Sequence, residues 1–213
     1  MNTEVKEVLK DNADFEKSLS DRYKFGLIWG DEITCLYHSL MRLTTDFVTG
    51  INIVEVGCRE MKTGKAMVEI CRDLHTPCSY YGIDVHKDYP ETVEKYSNMM
   101  QIIGDANDKE ILSQLPRKLH FILIDSCHCY QCVTIQGKMF SEDLTRGGII
   151  AFHDYGTEYQ GVCGINHSED HDRNGSTPIE VAKAVKDLDL TEHGFSRICE
   201  VEKGHGIIMY RKR

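Results

Sequence analysis

Short strand-like runs alternate with helical stretches along most of this chain, and an acidic residue stands at the end of each. The runs are Asn52–Val56, ending at Gly57, and Ser79–Ile83, ending at Asp84. Gln101–Ile103 follows, ending at Gly104-Asp105, then Leu119–Ile124, ending at Asp125, and Ile149–Phe152, ending at His153-Asp154. Between them lie helical patterns over Thr63–Leu74, Tyr89–Met99, Asn107–Leu115 and Tyr130–Leu144. Strands alternating with helices of about 10–15 residues give right-handed βαβ units on a mostly parallel sheet. Such sheets bind ligands at the carboxyl ends of their strands, and acids stand there in a row.

The flanks complete the architecture. Residues 1–48 read as helices, with Ile33, Leu36, Tyr37, Leu40 and Leu43 on one helical face. Asn166–Ser176 is polar and reads as a surface loop. Pro178 is expected to open a helix running to Leu188, because proline suits a first helical turn. Ser196–Glu202 and Gly206–Tyr210 make a hairpin around Lys203-Gly204. The expected fold is α/β: a Rossmann-like, seven-stranded, mostly parallel sheet with helices on both faces and a C-terminal antiparallel hairpin. The division is a helical cap over 1–48 and the sheet domain over 49–213.

At 213 residues the chain is long enough to bury a core without staples. Its net charge of −9 and pI of about 5.6 argue against broad phosphate-backbone binding, so no nucleic-acid partner is expected. No apolar run approaches the roughly 20 residues of a membrane span. The first residues, MNTEVKEVLKDNADFEKSL, lack the apolar segment of a secretory signal, so a cytoplasmic location is expected. Nine cysteines then read as reduced thiols, with Cys71, Cys78 and Cys199 as small core hydrophobes. One stretch stands out: Cys127-His128-Cys129-Tyr130-Gln131-Cys132. Its Cys129/Cys132 pair is of the kind a structural zinc uses, and Cys163 with His167 or His171 would have to complete the set.

Four constellations carry chemistry. Glu55-Val56-Gly57 ends the first strand, where glycine lets a ligand approach the backbone. It is not GxGxxG, and Gly64-Lys65 fails the phosphate-loop motif because Arg59 and Ala66 occupy its required positions. Asp84 can accept hydrogen bonds from two ribose hydroxyls, since an ionised carboxylate is acceptor-only. Asp105, followed by Ala106, can accept from an exocyclic amino group, with an Asx-turn as the alternative. Asp125, His153 and Asp154 end adjacent strands and suit Mg²⁺ or another divalent ion. The alternative is that His153 packs under the sheet and only Asp154 faces the cleft. His128, three residues past Asp125, is a candidate base for a substrate hydroxyl, or else a loop-bonding histidine.

With these residues in hand, the chain from about Asn52 to Tyr210 resembles class I S-adenosylmethionine-dependent methyltransferases. The nearest-looking branch holds small-molecule O-methyltransferases related to macrolide-sugar and aminocoumarin-sugar methyltransferases and to cephalosporin-hydroxylase-like proteins. The shared motifs stand here as VEVG, GID, GDA, IDSCHCY and GGIIAFHDY, of which the last two form the specific pair. The resemblance implies a cofactor site on Glu55, Gly57, Cys58, Asp84, Val85, Asp105, Ala106 and Asp125. It implies metal ligands Asp125, His153 and Asp154, His128 as base, and Trp29-Gly30 over the substrate side. The cofactors implied are S-adenosyl-L-methionine and a divalent metal such as Mg²⁺. The partner is a small-molecule acceptor, and a homo-oligomer is open.

Two departures matter. The segment Cys58–Gly64 is longer and more charged than the family's second-glycine loop, and Cys127 replaces an acid. They motivate two alternatives to O-methylation: a non-catalytic S-adenosylmethionine-binding module, or a zinc-stabilised interaction protein.

Overall fold

The computed structural model describes residues 3–26, 28, 30–87, 95–156, 162–163 and 177–213. Helices α1 (Thr3–Tyr23) and α2 (Asp31–Asp46) precede strand β1 (Ile51–Val56), helix α3 (Lys62–Asp73) and strands β2 (Cys78–Asp84) and β3 (Met99–Ile103). Then come the one-turn helix α4 (Lys109–Leu112), β4 (Leu119–Ile124), α5 (Tyr130–Asp143) and β5 (Leu144–His153). The two-residue strands β6 (Val162–Cys163) and β7 (Thr177–Pro178), helix α6 (Val181–Leu188), and strands β8 (Phe195–Val201) and β9 (Ile207–Lys212) complete the described elements.

Seven strands form one sheet in the order β3-β2-β1-β4-β5-β9-β8. The first five run parallel, while β9 is antiparallel to β5 and to β8. The expected sheet and terminal hairpin are therefore present. Strand β4 is central and buried at all six positions, as its mostly apolar sequence requires, and its one polar residue, His120, accepts from the Asn52 amide. Alternation divides the sheet between two layers. Ile53, Phe121, Ile149 and Ala151 join α2 and α3 on one face. Val54, Ile122, Ile150 and Phe152 join α5 and α6 on the other.

Register positions the site. Val56 pairs with Ile83 and with Ile124, and Ile124 pairs with Phe152. The residues that follow, Gly57, Asp84, Asp125 and His153, consequently reach one edge together.

Several expectations change. Pro178 does not open a helix: it pairs with Val162 in the small β6–β7 ladder, and α6 begins at Val181. Gly147-Gly148 is not a turn but lies inside a longer β5. There the register jumps from Leu119↔Leu144 to Phe121↔Ile149 and the extra residues bulge out. The third helix shrinks to Lys109–Leu112, capped by Asp108, whose side chain accepts from the Glu110 amide. Cys199 is not a free thiol but is paired with Cys35 of α2 in a disulfide. Residues 89–94 of the expected helix before β3, Trp29, and the 164–176 segment with His167 and His171 lie outside the described residues, as does the side chain of Cys163. Among the described residues, no helix is long and apolar enough to cross a membrane.

Candidate active site at the carboxyl edge of the sheet

The turn after β1 is set by steric necessity. Gly57 has φ +86, and a Cβ there would lie 2.2 Å from the Asp125 carbonyl oxygen and 2.6 Å from Ser126 Cα. The backbones leaving β1 and β4 touch, and only glycine fits. The charged loop is pinned: the Gly57 and Cys58 amides donate to the Ile83 carbonyl, and Met61 is fully buried. Cys58 is buried, its sulfur packed against Gly82. Gly64 has no phosphate role. A Cβ there would meet the Tyr80 ring at 2.1 Å, so the glycine admits Tyr80 beneath α3.

Tyr80 in turn donates its hydroxyl to Glu55. Glu55 is buried under the loop, and burial pushes its carboxyl up to about 8, although the Tyr80 hydrogen bond pulls the other way. Asp84 accepts from the Arg59 amide (2.8 Å) through one oxygen and from the His86 amide (3.0 Å) through the other. Asp84 thus ties the loop after β1 to its own turn. Asp105 is exposed and forms an Asx-turn, accepting from the Asn107 amide at 2.8 Å, while Ala106 beside it is buried. Val85 is half exposed.

The densest chemistry lies between β4 and β5. Asp154 follows β5 in the left-handed conformation, φ 55, which aspartate tolerates better than most residues. That conformation brings Asp154 Oδ2 to 2.8 Å from His128 Nε2 and Oδ1 to 2.6 Å from His205 Nδ1. His128 Nε2 also lies 3.6 Å from Asp125 Oδ1. The carboxylates of Asp125 and Asp154 and the imidazole of His128 can present ligand atoms all within 4.8 Å of one another, a donor set suited to a divalent ion.

His153 stands outside that set. Its Nδ1 is 3.1 Å from Asp125 Oδ1, and its Nε2 is 3.3 Å from Glu32 Oε2. Burial favours the neutral ring, but the Asp125 charge and hydrogen bonds to Asp125 and Glu32 outweigh it and raise its pKa well above the ordinary histidine value. An imidazolium clamped between two carboxylates offers no lone pair to a metal. Burial acts upward on Asp125, yet the His153 charge, then hydrogen bonds with His128 and His153, hold it below the usual carboxylate range. Asp154 is likewise lowered, by its hydrogen bond with His128 and the His153 charge acting against burial.

Two members of this network are absent from the sequence reading. Glu32 comes from α2, and its second oxygen accepts from the Gly206 amide at 2.6 Å. Its signal was present, since Glu32 shares the helical stripe of Leu36, Leu40 and Leu43 and so had to be buried. His205 comes from the β8–β9 turn and stacks on His153, rings 5.8 Å apart and 5° from parallel. No local pattern marks it. Only the pairing of β9 beside β5 brings that turn to the site.

The sheet order, the antiparallel β9 inserted between β5 and β8, and the row of acids on the carboxyl edge make up a class I methyltransferase fold. Residues 54–155 match the profile of a family described as a methyltransferase domain. That match covers just under half of the chain, and the solved structures it resembles share the fold. No curated protein sequence matches it significantly. Among solved structures it is similar to the S-adenosylhomocysteine-bound methyltransferase PaMTH1 of Podospora anserina, with TM-score 0.57 and 14% identity over 100% of this chain and 97% of that one. It is similar to MycE of the mycinamycin biosynthetic pathway, solved with Mg, S-adenosylhomocysteine and mycinamycin VI. There the TM-score is 0.58 at 18% identity, over 92% of this chain but 53% of that one, so this chain spans about half of MycE. The O-methyltransferase NovP matches with TM-score 0.57 and 12% identity over 84% of this chain and 78% of that one.

Proposed function

We propose that this chain is a methyltransferase that moves the methyl group of bound S-adenosylmethionine to a hydroxyl oxygen of a small molecule, leaving S-adenosylhomocysteine, assisted by a divalent ion such as Mg²⁺. The observation that carries the reading is the contact of His128 Nε2 with Asp154 (2.8 Å) and Asp125 (3.6 Å) at the edge where the strands end. A bound S-adenosylmethionine supplies an electrophilic methyl group, and a bound divalent ion lowers the pKa of a hydroxyl.

The residues fit both groups. Asp84 uses one lone pair on each oxygen for backbone amides, which leaves acceptor capacity for ribose hydroxyls. Asp125 and Asp154 are oxygen donors held ionised, as Mg²⁺ requires. Those two would hold the ion, and His128, its ring oriented by Asp154, would take the proton of the acceptor hydroxyl. His153 is assigned not as a ligand but as the buried cation that keeps Asp125 ionised. Glu55 is assigned beneath the cofactor rather than against it. The O-methyltransferase identity of NovP and the Mg-containing MycE complex support this reading.

Calorimetric titration of metal-stripped protein with S-adenosylhomocysteine, with and without Mg²⁺ and with NAD as control, tests it. Expected is micromolar binding, about −8 kcal/mol, selective over NAD. Asp84→Asn should weaken it about tenfold or more, the loss of hydrogen bonds to a charged group. Mg²⁺ should tighten binding in the wild type but not in Asp125→Asn/Asp154→Asn. Absence of binding would turn the reading toward a non-catalytic scaffold. A Mg²⁺ effect that survives the double substitution would remove the metal assignment.

A further inference from the structure

The thiol cluster beside this site is left unused by the reading above. Cys127 lies in the turn after β4, Cys129 is the N-cap of α5 and Cys132 stands in its first turn. The three sulfurs lie within 4.8 Å of one another. All three residues are buried, and they form a cluster separate from both apolar layers of the sheet, so packing into the main core does not explain them.

We propose that Cys127, Cys129 and Cys132 hold a zinc ion as three thiolate ligands, at a site distinct from the carboxylates. Geometry and local hydrogen bonding both favour it. Tetrahedral zinc with Zn–S bonds of about 2.3 Å places its sulfurs about 3.8 Å apart, within small side-chain adjustments of the distances here. The Cys129 amide points at Cys127 Sγ (3.5 Å) and the Cys132 amide at Cys129 Sγ (3.4 Å). Amide donors on sulfur favour the thiolate and act as the outer shell of a metal site. Soft thiolates select zinc over the hard Mg²⁺ that suits Asp125 and Asp154. Binding displaces three thiol protons to solvent, and water or one further donor fills the fourth position.

The site has a place in the molecule. Cys127 and Cys129 flank His128, whose carbonyl accepts from the Glu180 amide at 2.9 Å. Zinc on both neighbours fixes the backbone on either side of His128 and so acts as a positioning site for it.

The test uses whole protein, stripped of metal under reductant and titrated with Zn²⁺ against a chromophoric chelator, and separately with Co²⁺. Expected is one equivalent of zinc and an intense near-ultraviolet sulfur-to-cobalt charge-transfer absorption. Cys129→Ser/Cys132→Ser should lose the absorption and more zinc affinity than the roughly 10–100-fold that removal of an outer-shell partner costs. Asp125→Asn/Asp154→Asn should keep both, so failure of the carboxylate site and failure of the thiolate site are read separately. Should the cysteine variant not fold, maleimide labelling of the wild type mapped by mass spectrometry replaces it. Zinc should then shield Cys127, Cys129 and Cys132 while leaving Cys78 as reactive as before. Cobalt without a charge-transfer band, zinc lost only in the aspartate variant, or labelling indifferent to zinc would each overturn the proposal.

Discussion

Glu55 shows what one buried carboxyl does to the stability of the whole chain. Its ordinary value is 4.5 and its folded value is about 8, because burial penalises the charge more than Tyr80 relieves it. Between those values the folded state keeps a proton that the unfolded state has released. Stability therefore falls as pH rises through this window, and the loss is complete above about 8. Gln at this position still accepts the Tyr80 hydroxyl but cannot ionise. The Glu55→Gln variant should thus gain on the wild type as pH rises from 5 to 8, in urea unfolding measured side by side. Parallel curves would show that Glu55 titrates normally. Identity at this scale was well marked in the sequence, since VEVG, GID, IDSCHCY and HDY all end at the predicted edge. Side-chain direction was not. His153 occupies a metal-ligand position in the motif, but its two ring nitrogens face Asp125 and Glu32, partners that lie far from it in sequence.

Helix α2 carries a buried carboxylate, Glu32, that the sequence reading passed over. Ile33, Leu36, Leu40 and Leu43 are at most 1% exposed, and each contributes roughly 1.5–3 kcal/mol on burial. Their docking carries Glu32 under the sheet edge, where its cost is offset by the His153 imidazolium and the Gly206 amide. Glu32→Ala leaves a buried cation short of one partner and an amide without its acceptor. The expected loss is about 3 kcal/mol. In a chain of this size that lowers Tm by roughly 6–12 °C. Glu32→Gln, which keeps the Gly206 hydrogen bond, should lose less. A Glu32→Ala variant melting with the wild type would mean that α2 docks through its apolar stripe alone. Elements on this scale were legible wherever periodicity was long: the sheet strands and α2, α3 and α5 all appear. The short ones were not. Tertiary pairing of Pro178 with Val162 overrides the helix-start preference of proline, and the β5 bulge absorbs a Gly-Gly pair that locally reads as a turn.

Across the whole molecule, the first helical layer and the last hairpin are joined covalently as well as by packing. Cys35 on α2 and Cys199 on β8 are 164 residues apart in sequence with Cα atoms 6.2 Å apart. Linking them closes about three quarters of the chain into one loop, so the unfolded state loses entropy worth about 2–5 kcal/mol. The same bond braces the turn that carries His205 and Gly206 against the helix that carries Glu32, so it tightens the frame of the site. Neither cysteine signals this from sequence, because only the fold brings α2 to β8. Reductant should therefore lower the melting temperature of air-oxidised protein by roughly 5–15 °C. Cys35→Ser should melt where the reduced wild type melts and be indifferent to reductant. If reductant leaves the wild type unchanged, the two sulfurs are thiols in contact and the expectation of reduced cysteines stands. If it lowers the melting temperature and Cys35→Ser reproduces the loss, the link is part of the folded, oxidised chain.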